Sequence, residues 1–187
     1  MVLSARNPWR HVLKDQAMQT KPTLAILILG LSAALGTVAR ADTLPPAPTA
    51  APRWALDIST TSYHTRQWAR DSLNQDNPGL GIEYRCTRNS GFAAGFYKNS
   101  YSRTSAYAVA AYTPLHIRLP AGFTLAAGGA FGAISGYTRA EAPARPLMAA
   151  VLVEVRSSQG YGVNLIGVPN AGQSAGFVGL QLVVPLT

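Results

Sequence analysis

The chain has 187 residues, a formal net charge of +8 and only 13% charged residues. Five of its sixteen basic side chains, Arg6, Arg10, Lys14, Lys21 and Arg40, precede residue 42, and eleven basic residues face seven acidic ones from Asp42 onward. The later arginines are scattered and Lys98 is the only later lysine, which excludes the clustered basic surface of a nucleic-acid binder. Cys86, the single cysteine, excludes an intrachain disulfide and reads as a small apolar residue on a strand face.

Residues 18–41 carry the three parts of an export signal: Lys21, an apolar run over 24–38, and Ala39-Arg40-Ala41 as a small-x-small cleavage site. We therefore expect residues 1–41 to be a signal peptide, with Met18 as an alternative true start. Residues 42–53, DTLPPAPTAAPR, lack any apolar period and predict an extended linker.

From Trp54 on there is no helical period, and apolar segments of strand length recur between turn residues. Eight are predicted, over 54–63, 79–87, 91–99, 104–113, 121–134, 146–156, 160–168 and 174–184, each near the length of a tilted membrane-crossing strand. The stretch 91–112 is the one around which the rest is organised. Its two apolar strands are joined by a polar tip of Asn99, Ser100, Ser102 and Arg103, and make a hairpin. In the second segment Leu80, Ile82, Tyr84 and Cys86 share one face, and Gly81, Glu83 and Arg85 the other. In the last, Val178, Leu180, Leu182 and Val184 alternate with Phe177, Gly179, Gln181 and Val183. The expectation is an all-β fold, an eight-stranded antiparallel transmembrane β-barrel of the outer-membrane type over 54–187. A soluble lipocalin-like barrel or sandwich would need a charged outer surface that 91–99, 104–113 and 121–134 do not offer.

An even strand count puts the longer connections, 65–78, 100–103, 135–145 and 169–173, at one end and the shorter ones, near 88–90, 114–120 and 157–159, at the other. His64 and Asn99-Ser100 then share the rim at the long-loop end, separated only by strand two. His116, beside Pro114, is expected in a solvated turn. Glu83, Arg85, Glu154, Arg156 and Gln181 fall toward the inner end of the lumen, beneath Gly81, Gly95, Met148, Ala150 and Phe177. That arrangement fits either a pocket for an acyl chain or an interior filled by small side chains.

Several short motifs then come in a telling order. They are Ser62-Tyr63-His64, Pro78-Gly79-Leu80-Gly81, Ala94-Gly95-Phe96-Tyr97-Lys98-Asn99-Ser100, Gly132-Ala133-Ile134-Ser135-Gly136-Tyr137, and the NLIGVP of residues 164–169. In this order the chain resembles the outer-membrane lipid A palmitoyltransferases over residues 54–186. The resemblance implies an acyltransferase of a Gram-negative outer membrane, moving a palmitoyl-like chain from phospholipid to lipid A. By position His64 and Ser100 match the family's histidine and serine, and Asn99 stands where the family has an aspartate; these three are the candidate catalytic residues. Replacing a triad aspartate by asparagine costs about 10⁴ in rate. A non-catalytic barrel that binds lipid or a surface partner is therefore one rival reading; a lipid A deacylase, in which water replaces the acceptor at the same His-Ser pair, is the other. The linker also lacks the family's amphipathic helix, and the chain ends without its terminal aromatic.

The candidate substrate-binding residues are Gly95, Met148 and Phe177 in the lumen and Arg66, Arg70, Arg103, Arg139 and Arg145 in the long loops. Guanidinium groups there would suit a phosphorylated head group, or simply make a solvated face with Asp71, Asp76 and Glu141. No metal or cofactor is implied, and a monomer is expected.

Overall fold

Alternating small and apolar residues from Trp54 onward close on themselves as one antiparallel sheet. A computed structural model describes residues 53–186; the expected export signal, the linker apart from Arg53, and Thr187 lie outside the described residues. The strands are β1 (Trp54–His64), β2 (Asp76–Arg85), β3 (Ser90–Lys98), β4 (Thr104–Arg118), β5 (Thr124–Ile134), β6 (Leu147–Arg156), β7 (Gly162–Val168) and β8 (Phe177–Leu186). Each pairs with its neighbour in sequence and β8 returns to β1, giving a closed eight-stranded barrel with no free edge. Loops 65–75, 99–103, 135–146 and 169–176 gather at one end, the first carrying a short helix, α1 (Gln67–Ser72). The tighter turns 86–89, 119–123 and 157–161 gather at the other.

Two bulges depart from plain alternation. In β1 the register shifts between Ser59 and Thr61, and the intervening Thr60 donates its hydroxyl to the Leu180 carbonyl at 3.0 Å. Ala55, Asp57 and Ser59 point inward before it, Ser62 and His64 after it. In β4 the shift between Tyr112 and Leu115 absorbs Pro114, which has no N–H to give a ladder. The strand therefore runs on to Arg118, and the turn expected at 114–120 contracts to 119–123. His116 is correspondingly not in a solvated turn: it is half-buried in β4, with Nε2 2.9 Å from Asn89 Oδ1. At the remaining borders β2 begins at Asp76 rather than 79 and β5 at Thr124 rather than 121; β8 runs from Phe177 to Leu186.

The two faces of the wall differ sharply. Phe92, Phe131 and Leu147 are 60%, 64% and 68% exposed on the outside, with Leu80, Phe96, Val151 and Leu182 exposed beside them. Along the strands, the exposed charged residues are Asp76, Lys98 and Arg118, each at a strand end. Inside, the turn-end half of the lumen is packed with charge. Arg85 donates to both oxygens of Glu154 at 3.0 and 2.8 Å, and Arg156 reaches Glu83 at 3.2 Å and Asn164 at 2.7 Å. Thr113 gives Glu154 a further bond at 3.0 Å, and Asn164, Gln181 and Ser59 continue the network. Above it the Tyr107 ring crosses the lumen over Gly81 and Gly95, which pair with each other; a Cβ on Gly95 would come within 2.9 Å of the Tyr107 hydroxyl.

Candidate functional site

A cavity of about 430 Å³ runs from the charged cluster, whose Glu83, Arg85 and Glu154 line it, up to the loops. Val109, Ala130, Ile134, Met148, Leu152 and Ile166 make most of its wall apolar, and Phe177 lies near its mouth. Met148 and Phe177 thus line the space as expected, while Gly95 is covered by Tyr107 and does not.

His64 reaches this cavity because of the Thr60 bulge. Strict alternation from Leu56 and Ile58 would turn His64 outward and Tyr63 in; the extra residue reverses both, leaving Tyr63 60% exposed and His64 only 2%. The imidazole packs against the Phe177 ring, centroids 5.9 Å apart, and its buried Nδ1 has no hydrogen-bond partner among the described residues. Its backbone is clamped by Arg70, whose Nη1 donates to the carbonyls of His64 at 2.9 Å and Thr65 at 3.0 Å. Ser100, from the β3–β4 loop two strands away, is buried and lines the same cavity. Its carbonyl accepts from the Asn74 amide at 2.8 Å, which ties the loop to that of β1–β2.

Asn99 is differently employed. It is fully buried and does not line the cavity. Its Nδ2 donates to Ser105 Oγ at 3.0 Å and the Gly136 carbonyl at 2.9 Å, and its Oδ1 accepts from the amides of Tyr101 at 2.9 Å and Arg103 at 3.1 Å. Every hydrogen-bonding position of the amide is taken up by the β3–β4 loop, the start of β4 and the β5–β6 loop, none by His64.

The loop arginines divide. Arg66 donates to the carbonyls of Gly172 at 2.6 Å and Gln173 at 3.2 Å, holding the β1–β2 and β7–β8 loops together. Arg103 bonds the Gly136 carbonyl at 2.9 Å, pairs with Glu141 and lies over the Tyr101 ring. Partial burial works against the Glu141 carboxylate, but the Thr138 amide and Arg103 hold it below its ordinary value. Ser174 Oγ donates to the Glu141 carbonyl at 2.9 Å and so closes a ring of contacts among all four loops. Arg139 and Arg145 are exposed, with no side-chain bond among the described residues.

No protein-family model matches the chain, and a search of the curated proteins finds no relative. The chemistry has to be read from the site itself. An imidazole with a free ring nitrogen and a hydroxyl facing one apolar cavity are the parts of a general base and of a nucleophile or ester-polarising donor. Around them stand groups that the motifs alone did not single out. Tyr137 meets Tyr97 at 3.0 Å between hydroxyls over the cavity. Burial pushes the Tyr137 phenol up, so it stays a proton donor. Asp57, Ser62 and Asn77 are further buried polar groups lining the β1–β2 wall, and no motif of the sequence marked them as site residues. Among the described residues no cluster of three His, Cys, Asp or Glu side chains could hold a metal ion.

Proposed function

We propose that the protein is an outer-membrane barrel that holds a fatty acyl chain in its lumen and transfers it, through His64 and Ser100, from phospholipid to lipid A. Support for the membrane comes from the outer face. A continuous apolar band with charge only at strand ends is costly in water and suited to lipid. Exposed Trp54, Tyr112, Phe123 and Tyr161 near the turn end and Tyr63 and Trp68 near the loop end have the placement of interfacial aromatic girdles. Cleavage of the leader after Ala41 and export belong to the same reading.

The observation that carries the functional reading is the cavity: a largely apolar space inside the eight-stranded barrel, floored by the charged cluster, with His64 and Ser100 lining it. A route from the bilayer is available at the β6–β7 seam. That ladder ends at Val151 and Gly167, leaving residues 147–150 of β6 without a β7 partner. In the reaction the chain's ester carbonyl would lie at the mouth. His64 would take a proton from the attacking lipid A hydroxyl and Tyr137 or Ser100 would donate to the developing oxyanion; as the adduct collapses the phospholipid ester C–O bond breaks and His64 returns the proton to the departing lysophospholipid oxygen. Arg139 and Arg145, exposed and with no side-chain bond among the described residues, are the loop arginines open to the head-group phosphates.

The engagement of Asn99 elsewhere favours one second reading, a barrel that binds the acyl chain without transferring it, since no carboxylate or amide among the described residues bonds the imidazole Nδ1. Lipid A mass spectra from cells with and without the chain separate these. A gained acyl mass supports transfer, a lost one identifies a deacylase, and an unchanged spectrum with the protein in the outer-membrane fraction leaves the binder. A soluble periplasmic product would overturn the membrane assignment.

A further inference from the structure

Toward the loop end, the β1–β2 wall holds three buried polar atoms with no hydrogen-bond partner among the described residues: Ser62 Oγ, His64 Nδ1 and Asn77 Oδ1. Each residue is more than nine-tenths buried and lines the cavity. The neighbouring hydroxyls are already engaged. Ser59 accepts from Gln181, Thr60 donates to the Leu180 carbonyl and Thr61 to the Gln75 carbonyl, which leaves Ser62 as the uncommitted hydroxyl of β1 beside His64.

The fold brings the three groups together. The Thr60 bulge turns Ser62 and His64 to the lumen, one inward step apart on β1. The Ser62 amide bonds the Gln75 carbonyl at 2.9 Å, which sets Asn77 diagonally across from Ser62 on the inward face of β2. Asn77 is anchored there by its Nδ2, which donates to the Lys98 carbonyl at 2.8 Å, so its Oδ1 is presented as an acceptor.

Resting on the acyl-transfer reading, we infer that Ser62 and Asn77 are positioning residues for His64: with substrate seated, His64 Nδ1–H donates to Ser62 Oγ, and the Ser62 hydroxyl donates to Asn77 Oδ1. A hydroxyl is the one group of the three that both accepts and donates, so it is the link that satisfies its two neighbours at once. Catalytic contacts of this kind often draw to full hydrogen-bonding distance only in the substrate complex. The relay does for the imidazole what the buried carboxylate does in a Ser-His-Asp triad, keeping a proton on Nδ1 and leaving Nε2 as the base. No proton leaves Nδ1. The role is the one that Asn99, engaged elsewhere, does not take.

The test uses the full chain in detergent micelles with phospholipid and lipid A as substrates, and joins two readouts. One is the His64 tautomer, read from ¹⁵N-histidine spectra with phospholipid present at a pH where the ring is neutral, the signal assigned by its loss in His64→Ala. The Nδ1–H form is expected to dominate in the parent chain and in Ser62→Thr, and to give way to Nε2–H in Ser62→Ala and Asn77→Leu. The other is the transfer rate. In Ser62→Ala kcat is expected to fall about a hundredfold or more with KM within about twofold, and Ser62→Thr to recover most of it. Should Asn77→Leu fail to fold, Ser62→Ala, which deletes a single buried hydroxyl, decides alone. Transfer by the parent chain with the tautomer or the rate unchanged in Ser62→Ala overturns this inference and leaves the transfer reading standing. No transfer by the parent chain overturns both.

Discussion

The turn-end and loop-end halves of the lumen are built from the same eight strands and use their polar groups in opposite ways. At the turn end, Arg85, Arg156, Glu83 and Glu154 satisfy one another, with Thr113 and Asn164 taking up remaining positions, and the cluster floors the cavity. At the loop end the wall is apolar, His64 Nδ1 and Ser62 Oγ are unmatched, and a cavity remains. Charges in a narrow lumen are tolerated only when paired and hydrogen-bonded, so the closed half is structural and holds the barrel's shape. Unmatched groups beside an open space point instead to a ligand, and the contrast separates residues needed for folding from those needed for function.

The largest effect is expected from Glu154→Leu. It strips Arg85 of both its short bonds and Arg156 of one, leaving the half-buried Arg85 only its longer pairing with Glu83 at 3.6 Å, a loss of about 3 kcal/mol. A lowered midpoint for the heat-dependent change in gel migration checks it; an unchanged midpoint would mean that water replaces the pair and that the cluster is not structural.

Asn99→Asp comes next and sharpens the contrast at the rim. A carboxylate oxygen would replace the Nδ2 that donates to Gly136, setting two acceptors against each other in a fully buried position. The expected cost is about 1–3 kcal/mol, seen as faster proteolysis of loop 99–103, with no gain in transfer. A rise in transfer would show that residue 99 orients His64 after all.

Smallest in stability, and largest in function, are His64→Ala and Ser100→Ala. Both side chains face an existing cavity, so each variant should lie within about 1 kcal/mol of the parent while losing transfer altogether. Transfer retained in both would remove these residues from the mechanism.

How far such distinctions were legible from residues alone depended on the kind of physics involved. Strand number, closure and the inward set Gly81, Glu83 and Arg85 follow from a period of two that side-chain chemistry reinforces at every step. The charged cluster was legible because Glu83 and Arg85 can face only inward if the other face is apolar. Bulges are another matter. The phase change at Thr60 that brings His64 into the lumen arises from the register of β1 against both β2 and β8, which no local pattern encodes. Pro114 marked a break in β4 but suggested a turn, where the strand simply absorbs it and continues. The role of Asn99 was also hidden. Its partners Ser105 and Gly136 lie six and thirty-seven residues away, so only the folded loops reveal that the amide is fully engaged.

The most direct measurement is photolabelling with a phospholipid that carries a diazirine near the end of one acyl chain, in membranes containing the full chain. The predicted result is label on inward-facing residues of the open half, such as Ala130, Met148 and Leu152, reduced by competing fatty acid. Label confined to outward-facing Phe131, Val151 and Leu165 would contradict the central claim, because the acyl chain would then touch only the outside of the barrel.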